Sequence, residues 1–363
     1  MTVAVAAVMI SGGAVAQTGL RGRAGPAVAE FRALAAPCQA SALPTLGGRW
    51  GNATGASSNG LIVGIAEDAS RRSQAVLWRG GRAVALDIGL DAAMPTGVNR
   101  SGTVVGTAYD SATEMLVGWW WSGGAMHRLP VKPGDIALPE AIDDRGRIVG
   151  ALIANEGHSD GPGADETERA AFWASTQTQP RELPAAAGDD TAHAFAIASD
   201  GTIGGVSMGS TAAGALWDLH GTVRRLPNLD AHGGLVRGFD SAARPVGDAA
   251  TASGGSRAVR WENGKPRDLG SPVPGRTSSG VAATADVVAG TSGVPVQSGG
   301  EVSQAVVWIG GVAYVLTPLS APGFVAVAGA ATAVGTSAGA PIVAGYSADA
   351  VGARRPTVWR CAR

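Results

Sequence analysis

The chain has 363 residues, with 28 Lys and Arg against 29 Asp and Glu, 55 Gly, 20 Pro and two Cys. A net charge of −1 sets up no field that would draw nucleic acid or an anionic membrane, so both are disfavoured as partners. Abundant Gly without helical periodicity favours many short strands joined by tight turns.

Residues 1–16 are apolar and small, and Ala14-Val15-Ala16 before Gln17 has the form of a signal-peptidase site. This segment is read as a signal peptide, residues 17–37 as a linker and residues 38–363 as the folded domain. A disordered Ala/Gly tail is the alternative for the first segment, which lacks a basic start. Beyond Ala16 no apolar run reaches the ~20 residues needed to span a bilayer, so the expected mature product is a secreted, extracellular monomer.

From residue 43 onward one phrase recurs. Its clearest copy covers residues 95–130 and divides into four strand-like pieces at 95–99, 103–110, 115–121 and 126–129. A Trp closes the third piece of each copy, at Trp78, Trp121, Trp173, Trp217, Trp261, Trp308 and Trp359, and a Leu follows in the fourth, at Leu86, Leu129, Leu183, Leu226, Leu269 and Leu316. Upstream, a turn ending in Gly precedes a short apolar run that itself ends in Gly, as in Asn99-Arg100-Ser101-Gly102-Thr103-Val104-Val105-Gly106. Ala243 and Ala285 stand where the turn Gly of the later copies is expected. Four-stranded units of this length cannot bury both faces alone, so seven of them predict an all-β, seven-bladed β-propeller of antiparallel blades.

The phrase resembles the HAF-repeat family of extracellular bacterial proteins. The resemblance lies in the opening Leu43-Pro44-Thr45-Leu46-Gly47-Gly48, the core from Ser57 to Gly64, and Ala75-Val76-Leu77-Trp78 with Leu86-Asp87-Ile88-Gly89. It implies a secreted repeat protein and carries no reaction that transfers to residues here.

Catalytic motifs are weak. Ser207 and Ser337 sit in G-x-S-x-G, but neither is followed by the helix that a nucleophile elbow requires. The five His residues show no zinc spacing, no Gly-rich loop opens a helix, and no cofactor is indicated. Most repeat Trp residues are expected to pack between blades, whereas Trp120 points away from its two Trp neighbours, either to stack on a sugar or partner or to widen a blade interface. Loop-length variation gathers on one face, at 156–168 and 291–302, and the blade connections on that face carry acidic residues. The candidate ligand-binding residues are therefore Trp120, Asp160, Asp165, Asp189, Asp190, Asp230 and His232. Residues 160–166 fit no defined calcium loop, and no metal site is assigned. A binding or surface-interaction module for a glycan or protein is the preferred function; a hydrolase or lyase acting on extracellular polysaccharide is the alternative.

The last copy ends after its third piece, and residues 42–44 look like the end of a fourth piece without the first three. Matching Trp359 to Trp78 puts Cys361 in the place of Gly80, and matching Leu43 to Leu86 puts Cys38 in the place of Gly81. A Cys38–Cys361 disulfide locking the ring is expected, with two free buried thiols as the other reading.

Overall fold

The computed structural model describes residues 36–154, 168–229, 233–295, 301–321 and 324–362. The expected signal peptide and most of the expected linker lie outside the described residues. Ala36 and Pro37 are already part of the domain, since Ala36 N–H donates to Val315 O at 3.0 Å and Pro37 O accepts from Ala362 N–H at 3.0 Å.

The described residues form seven antiparallel sheets and contain no helix. The first blade shows the plan: strands Gly47–Ala56, Ile62–Asp68, Ser73–Arg79 and Arg82–Ala85 pair in sequence order. The first strand of each blade touches the first strands of both neighbours and so lies innermost, around the axis. The fourth strand is outermost and exposed. The middle strands are covered on both faces by adjacent blades, which is why Ile62-Val63 and Ala75-Val76-Leu77-Trp78 are continuous apolar runs rather than alternating ones. The chain is a seven-bladed β-propeller.

Ring closure uses both ends of the chain. The seventh blade takes its inner strands from Phe324–Ser337, Ala340–Asp349 and Arg354–Cys361, and its outermost strand is Cys38–Ala42. Cys38 pairs directly with Cys361 across that last rung, and the two form a disulfide.

A bulge and a glycine repeat in every blade. The first strand skips one residue in its pairing, and opposite the skip the second strand carries Gly64, Gly106, Gly150, Gly205, Gly247, Gly290 or Gly345. A Cβ at Gly150 would stand 2.0 Å from Leu138 O, and one at Gly205 would stand 1.9 Å from His193 O. The first strand's carbonyl turns into this space as the strand bends around the axis, so only glycine fits. Gly150→Ala is accordingly expected to destabilise the protein by about 1–3 kcal/mol, measured as a lowered urea midpoint with an unchanged m-value.

The seven marker Trp residues occupy equivalent third-strand positions, each two residues past the partner of its blade's bulge glycine. Five indoles clasp the preceding blade by donating to the carbonyl that follows that blade's Leu. These bonds are Trp78 to Pro44 O at 2.7 Å, Trp173 to Pro130 O at 2.9 Å, Trp217 to Pro184 O at 2.7 Å, Trp261 to Pro227 O at 2.8 Å and Trp359 to Thr317 O at 2.7 Å. For the second and sixth blades, the residues following the preceding blade's Leu are Asp87 and Gly270, and the indole N–H groups of Trp121 and Trp308 have no partner. The second blade also departs in burial: Trp119 is wholly buried, while the marker Trp121 is only partly so.

Two sequence expectations need correction. Ala285 does hold a left-handed backbone, with φ 46°, but in a two-residue turn between Thr284 and Val287. The seventh blade likewise closes with two residues between Ser337 and Ala340. These copies lack the five-residue turn because their strands stay paired down to a two-residue one, which in the seventh blade keeps a glycine, Gly339, with φ 76°. Ala243, by contrast, sits in the full turn with φ 55°, its N–H donating to Asp240 O just as Gly102 N–H donates to Asn99 O. Because Cβ crowding disfavours that conformation, Ala243→Gly is expected to stabilise the protein by about 1 kcal/mol, read as a raised denaturation midpoint. The second correction concerns 291–302, expected as a loop. Strands Val287–Pro295 and Glu301–Ile309 stay paired out to Pro295 and Glu301, so this segment is mostly a long hairpin.

Candidate functional site

The residue skipped at each bulge lies at one height on the inner wall. Around the ring these residues are Thr54, Thr96, Glu140, Phe195, Arg237, Val281 and Thr332. Where the residue is Thr, its hydroxyl ties the blade to the next: Thr332 Oγ1 donates to Ala53 O at 2.7 Å, Thr54 Oγ1 to Pro95 O at 2.6 Å and Thr96 Oγ1 to Pro139 O at 2.7 Å. Blades seven, one, two and three are thus tied in succession. The next blades break the pattern with a carboxylate, an aromatic ring and a guanidinium.

His193, on the first strand of the fourth blade, centres the exceptional side. It is 5% exposed. Its Nδ1 lies 3.0 Å from Glu168 Oε2 and its Nε2 lies 3.3 Å from Glu140 Oε1. The second contact is close enough for charge attraction but out of line for a hydrogen bond, and Nε2 has no hydrogen-bond partner. Phe195 stacks on the imidazole with ring centroids 4.3 Å apart and planes 15° from parallel. Burial by itself would lower the His193 pKa, but the close carboxylates of Glu140 and Glu168, the latter hydrogen-bonded to Nδ1, outweigh it and push the pKa up to about 9. The same contact with His193 holds Glu168 below the ordinary carboxylate range, against its partial burial.

One blade further on, Arg237 Nε donates to Asp248 Oδ2 at 2.9 Å, and Gly280 N–H donates to Asp248 Oδ1 at 3.1 Å. Burial raises the Asp248 pKa, with Arg237 and the donated hydrogen bonds opposing the rise.

Above Glu168, a cleft of about 280 Å3 opens where the third strand of blade three and the first strand of blade four begin, on the long-loop face. Glu168, Arg169, Glu182 and Asp190 contribute its charges. Arg169 is held between Asp135 and Glu182, the latter contact being 2.7 Å.

The residues singled out from sequence do not gather at one point. Asp190 lines the long-loop cleft. Asp189 is engaged within its own blade, accepting from Ser207 Oγ at 2.6 Å with Arg225 Nε at 3.4 Å. Trp120 lies on the opposite, tight-turn face, half-buried against blade three and stacked on His127 with centroids 4.3 Å apart. Asp160, Asp165, Asp230 and His232 lie outside the described residues. Ser207 is a buried strand residue whose Oγ also accepts from Ala186 N–H at 2.9 Å. Among the described residues no group of three His, Cys, Asp or Glu side chains is arranged to hold a metal ion.

Sequence reading passed over Glu140, Glu168, His193, Phe195 and Arg237. A signal for three of them was present: Ala53-Thr54-Gly55-Ala56, Pro95-Thr96-Gly97-Val98 and Ala331-Thr332-Ala333-Val334 share a Thr that becomes Glu, Phe and Arg in the first strands of blades three to five.

No family model matches the chain, and no curated protein is similar to it. Among solved structures, it is similar to the β-propeller domain of the Trilobed protease from Pyrococcus furiosus, with TM-score 0.51 at 9% identity over 86% of this chain and 93% of that one. It is also similar to a structure described as YCF48 bound to D1 peptide, with TM-score 0.51 at 12% identity over 91% of this chain and 98% of that one. At such identities the likeness is one of fold. The Pyrococcus domain is described as having an open velcro topology, whereas the ring here is closed by an N-terminal strand and a disulfide.

Proposed function

We propose that this protein is an extracellular binding module whose ligand sits on the inner wall of blades three to five and the adjoining long-loop face. The observation that carries the reading is the broken threonine ring. Thr54, Thr96 and Thr332 do a structural job that a small side chain suffices for, whereas Glu140, Phe195 and Arg237 place a charge, a ring and another charge at the same positions. Fold maintenance does not require such residues at three adjacent blades, and rigid scaffolds concentrate recognition groups in this way. The disulfide supports an oxidising compartment, as does the HAF-repeat resemblance.

A hydrolase or lyase is the second reading, favoured by the meeting of Glu140 and Glu168 at one imidazole. Carboxylates already engaged by a buried His193 are better suited to holding a ligand than to exchanging protons with it, so binding is preferred.

The test compares the oxidised protein with Glu140→Thr/Phe195→Thr, which restores the structural residue of the repeat. Both are applied to arrays of extracellular polysaccharides and of peptides, and release of reducing ends is assayed in parallel. Binding seen with the parent and absent from the folded variant supports the proposal. Binding retained by the variant places the site elsewhere and overturns it, and catalytic release of reducing ends selects the second reading.

A further inference from the structure

We infer that the tight-turn face carries a second binding site, for a carbohydrate chain, in the cleft between blades two and three. It is separate from the inner wall and lies at the other end of the ring.

The cleft measures about 290 Å3, near the lower end of small-molecule sites at ~300–1,000 Å3, and so suits a sugar ring or two rather than a protein surface. Two departures from the repeat meet there. The first is Trp120. At the position before the marker Trp the other blades carry Leu77, Phe172, Leu216, Arg260, Val307 and Val358, so blade packing does not demand an indole. Trp120 is half-buried and lines the cleft, with His127 stacked on it. Its indole N–H donates to no group among the described residues.

The second departure is a turn. Between the third and fourth strands, blades one, two, five and six have only two residues, at 80–81, 123–124, 263–264 and 310–311, whereas blade three has seven, 174–180. This longer turn is braced on itself: Ser175 N–H donates to Thr178 Oγ1 at 3.0 Å, and Thr178 Oγ1 donates to Ser175 O at 3.1 Å. It brings Ser175 and Thr176 to the cleft that Trp120 lines. Extra length held rigid on a scaffold that elsewhere closes with two residues is where recognition groups gather.

The lining selects the chemistry. Ser101, Thr103, Ser122, Ser175 and Thr176 give it five hydroxyl-bearing residues. A hydroxyl donates and accepts through one atom, so such a wall can meet the adjoining hydroxyls of a sugar whichever way their protons point. The charged residues of the lining are Asp144 and Arg145, one of each sign. Asp144 is already engaged, Oδ1 accepting from Arg100 N–H at 2.9 Å and Oδ2 from Ser58 Oγ at 2.7 Å. With no net charge, the cleft does not concentrate ions of either sign. Trp120 adds the apolar surface that the C–H face of a sugar ring requires. A peptide would need an apolar side-chain pocket or an open strand edge, and a cleft walled by polar turns offers neither.

The experiment applies the full oxidised chain to arrays of neutral and charged oligosaccharides and of peptides. The best oligosaccharide is then titrated calorimetrically into the parent, into Trp120→Leu, which restores the residue of blades one and four, and into Ser175→Ala/Thr176→Ala. Thermal transitions show which variants are folded, and if Trp120→Leu is not, the double variant decides. Binding weakened at least about tenfold in each folded variant is expected, with a change in tryptophan emission on titration that Trp120→Leu lacks. Binding unchanged in Ser175→Ala/Thr176→Ala, or in a folded Trp120→Leu, overturns the site. Cleft-dependent binding of peptides alone overturns the carbohydrate assignment, and a parent that binds no oligosaccharide overturns the inference. Each sugar is also scored against Glu140→Thr/Phe195→Thr: one lost only there belongs to the inner wall, and if no other sugar binds, the cleft site is overturned while the inner-wall reading stands.

Discussion

Reducing the Cys38–Cys361 disulfide, or replacing both cysteines by alanine, is expected to destabilise the propeller on the order of 5 kcal/mol, the largest single effect predicted for this chain. The two cysteines are 323 residues apart. Loop-closure entropy grows with the logarithm of the loop, so a bridge enclosing nearly the whole domain restricts the unfolded chain about as much as one disulfide can. The native consequence is local as well. Cys38–Ala42 is an outermost strand attached along one edge to Arg354–Cys361, and without the bridge it is held by backbone pairing and by Leu43, which packs under Trp78. A fall in Tm of about 10 °C is expected on reduction, from ~2 °C per kcal/mol in a domain of this size. Hydrogen exchange should localise the change, with amides of residues 38–42 losing protection before those of the other blades. Equal Tm values with and without reductant would show that strand pairing alone closes the ring, and recovery of both thiols by alkylation of the native oxidised protein would refute the bridge.

The second large effect is a pH dependence set by His193. Its folded pKa is raised to about 9 from an ordinary 6.5, so the native state holds a proton that the unfolded chain releases in that interval. Stability from this group is therefore fully present below pH 6.5 and is lost as pH rises through about 9. At 1.36 kcal/mol per pH unit, the loss amounts to at most about 3 kcal/mol. Glu168 adds the opposite limb: held below its ordinary range by the same contact, it contributes stability at neutral pH that is lost as the solution becomes acidic. Urea denaturation at pH 6, 7, 8 and 9 should show unfolding free energy declining across the series. His193→Gln should be less stable at pH 6, with two carboxylates left facing a neutral amide, and should show a much flatter decline. A parent protein with constant stability over this range would mean that His193 is neutral in the native state, and would remove the charge pattern on which the inner-wall site is built.

The repeat architecture was legible because it is written in residues whose requirement is local. A marker Trp in every blade, a Leu just past the next strand and a Gly opposite the bulge follow from contacts that each blade makes with its immediate neighbour, so they recur at readable spacing. The disulfide was legible for the same reason, because an incomplete last copy and a stray first strand leave one way to finish a seven-bladed ring. The short turn of blade six was misread because a lost glycine and a lost turn look alike in sequence, although Ala243 keeps the full turn's backbone whereas Ala285 sits in a two-residue turn.

The candidate site was decided by tertiary structure. Glu140, Glu168 and His193 are separated by 28 and 25 residues, two on first strands of adjacent blades and Glu168 just before a third strand; nothing in their local spacing announces a meeting. They converge because the bulge bends each innermost strand toward its neighbour and because blade three presents its edge to blade four. Conversely, Trp120 and Asp190, both conspicuous in sequence, end on opposite faces, since alternate connections of an up-and-down blade leave from opposite ends of its strands. Sequence by itself determined the blade, its number of copies and its closure, all set by nearest-neighbour packing. Which side chains share a surface was settled only when the ring closed, because that depends on blade order and strand direction around a common axis.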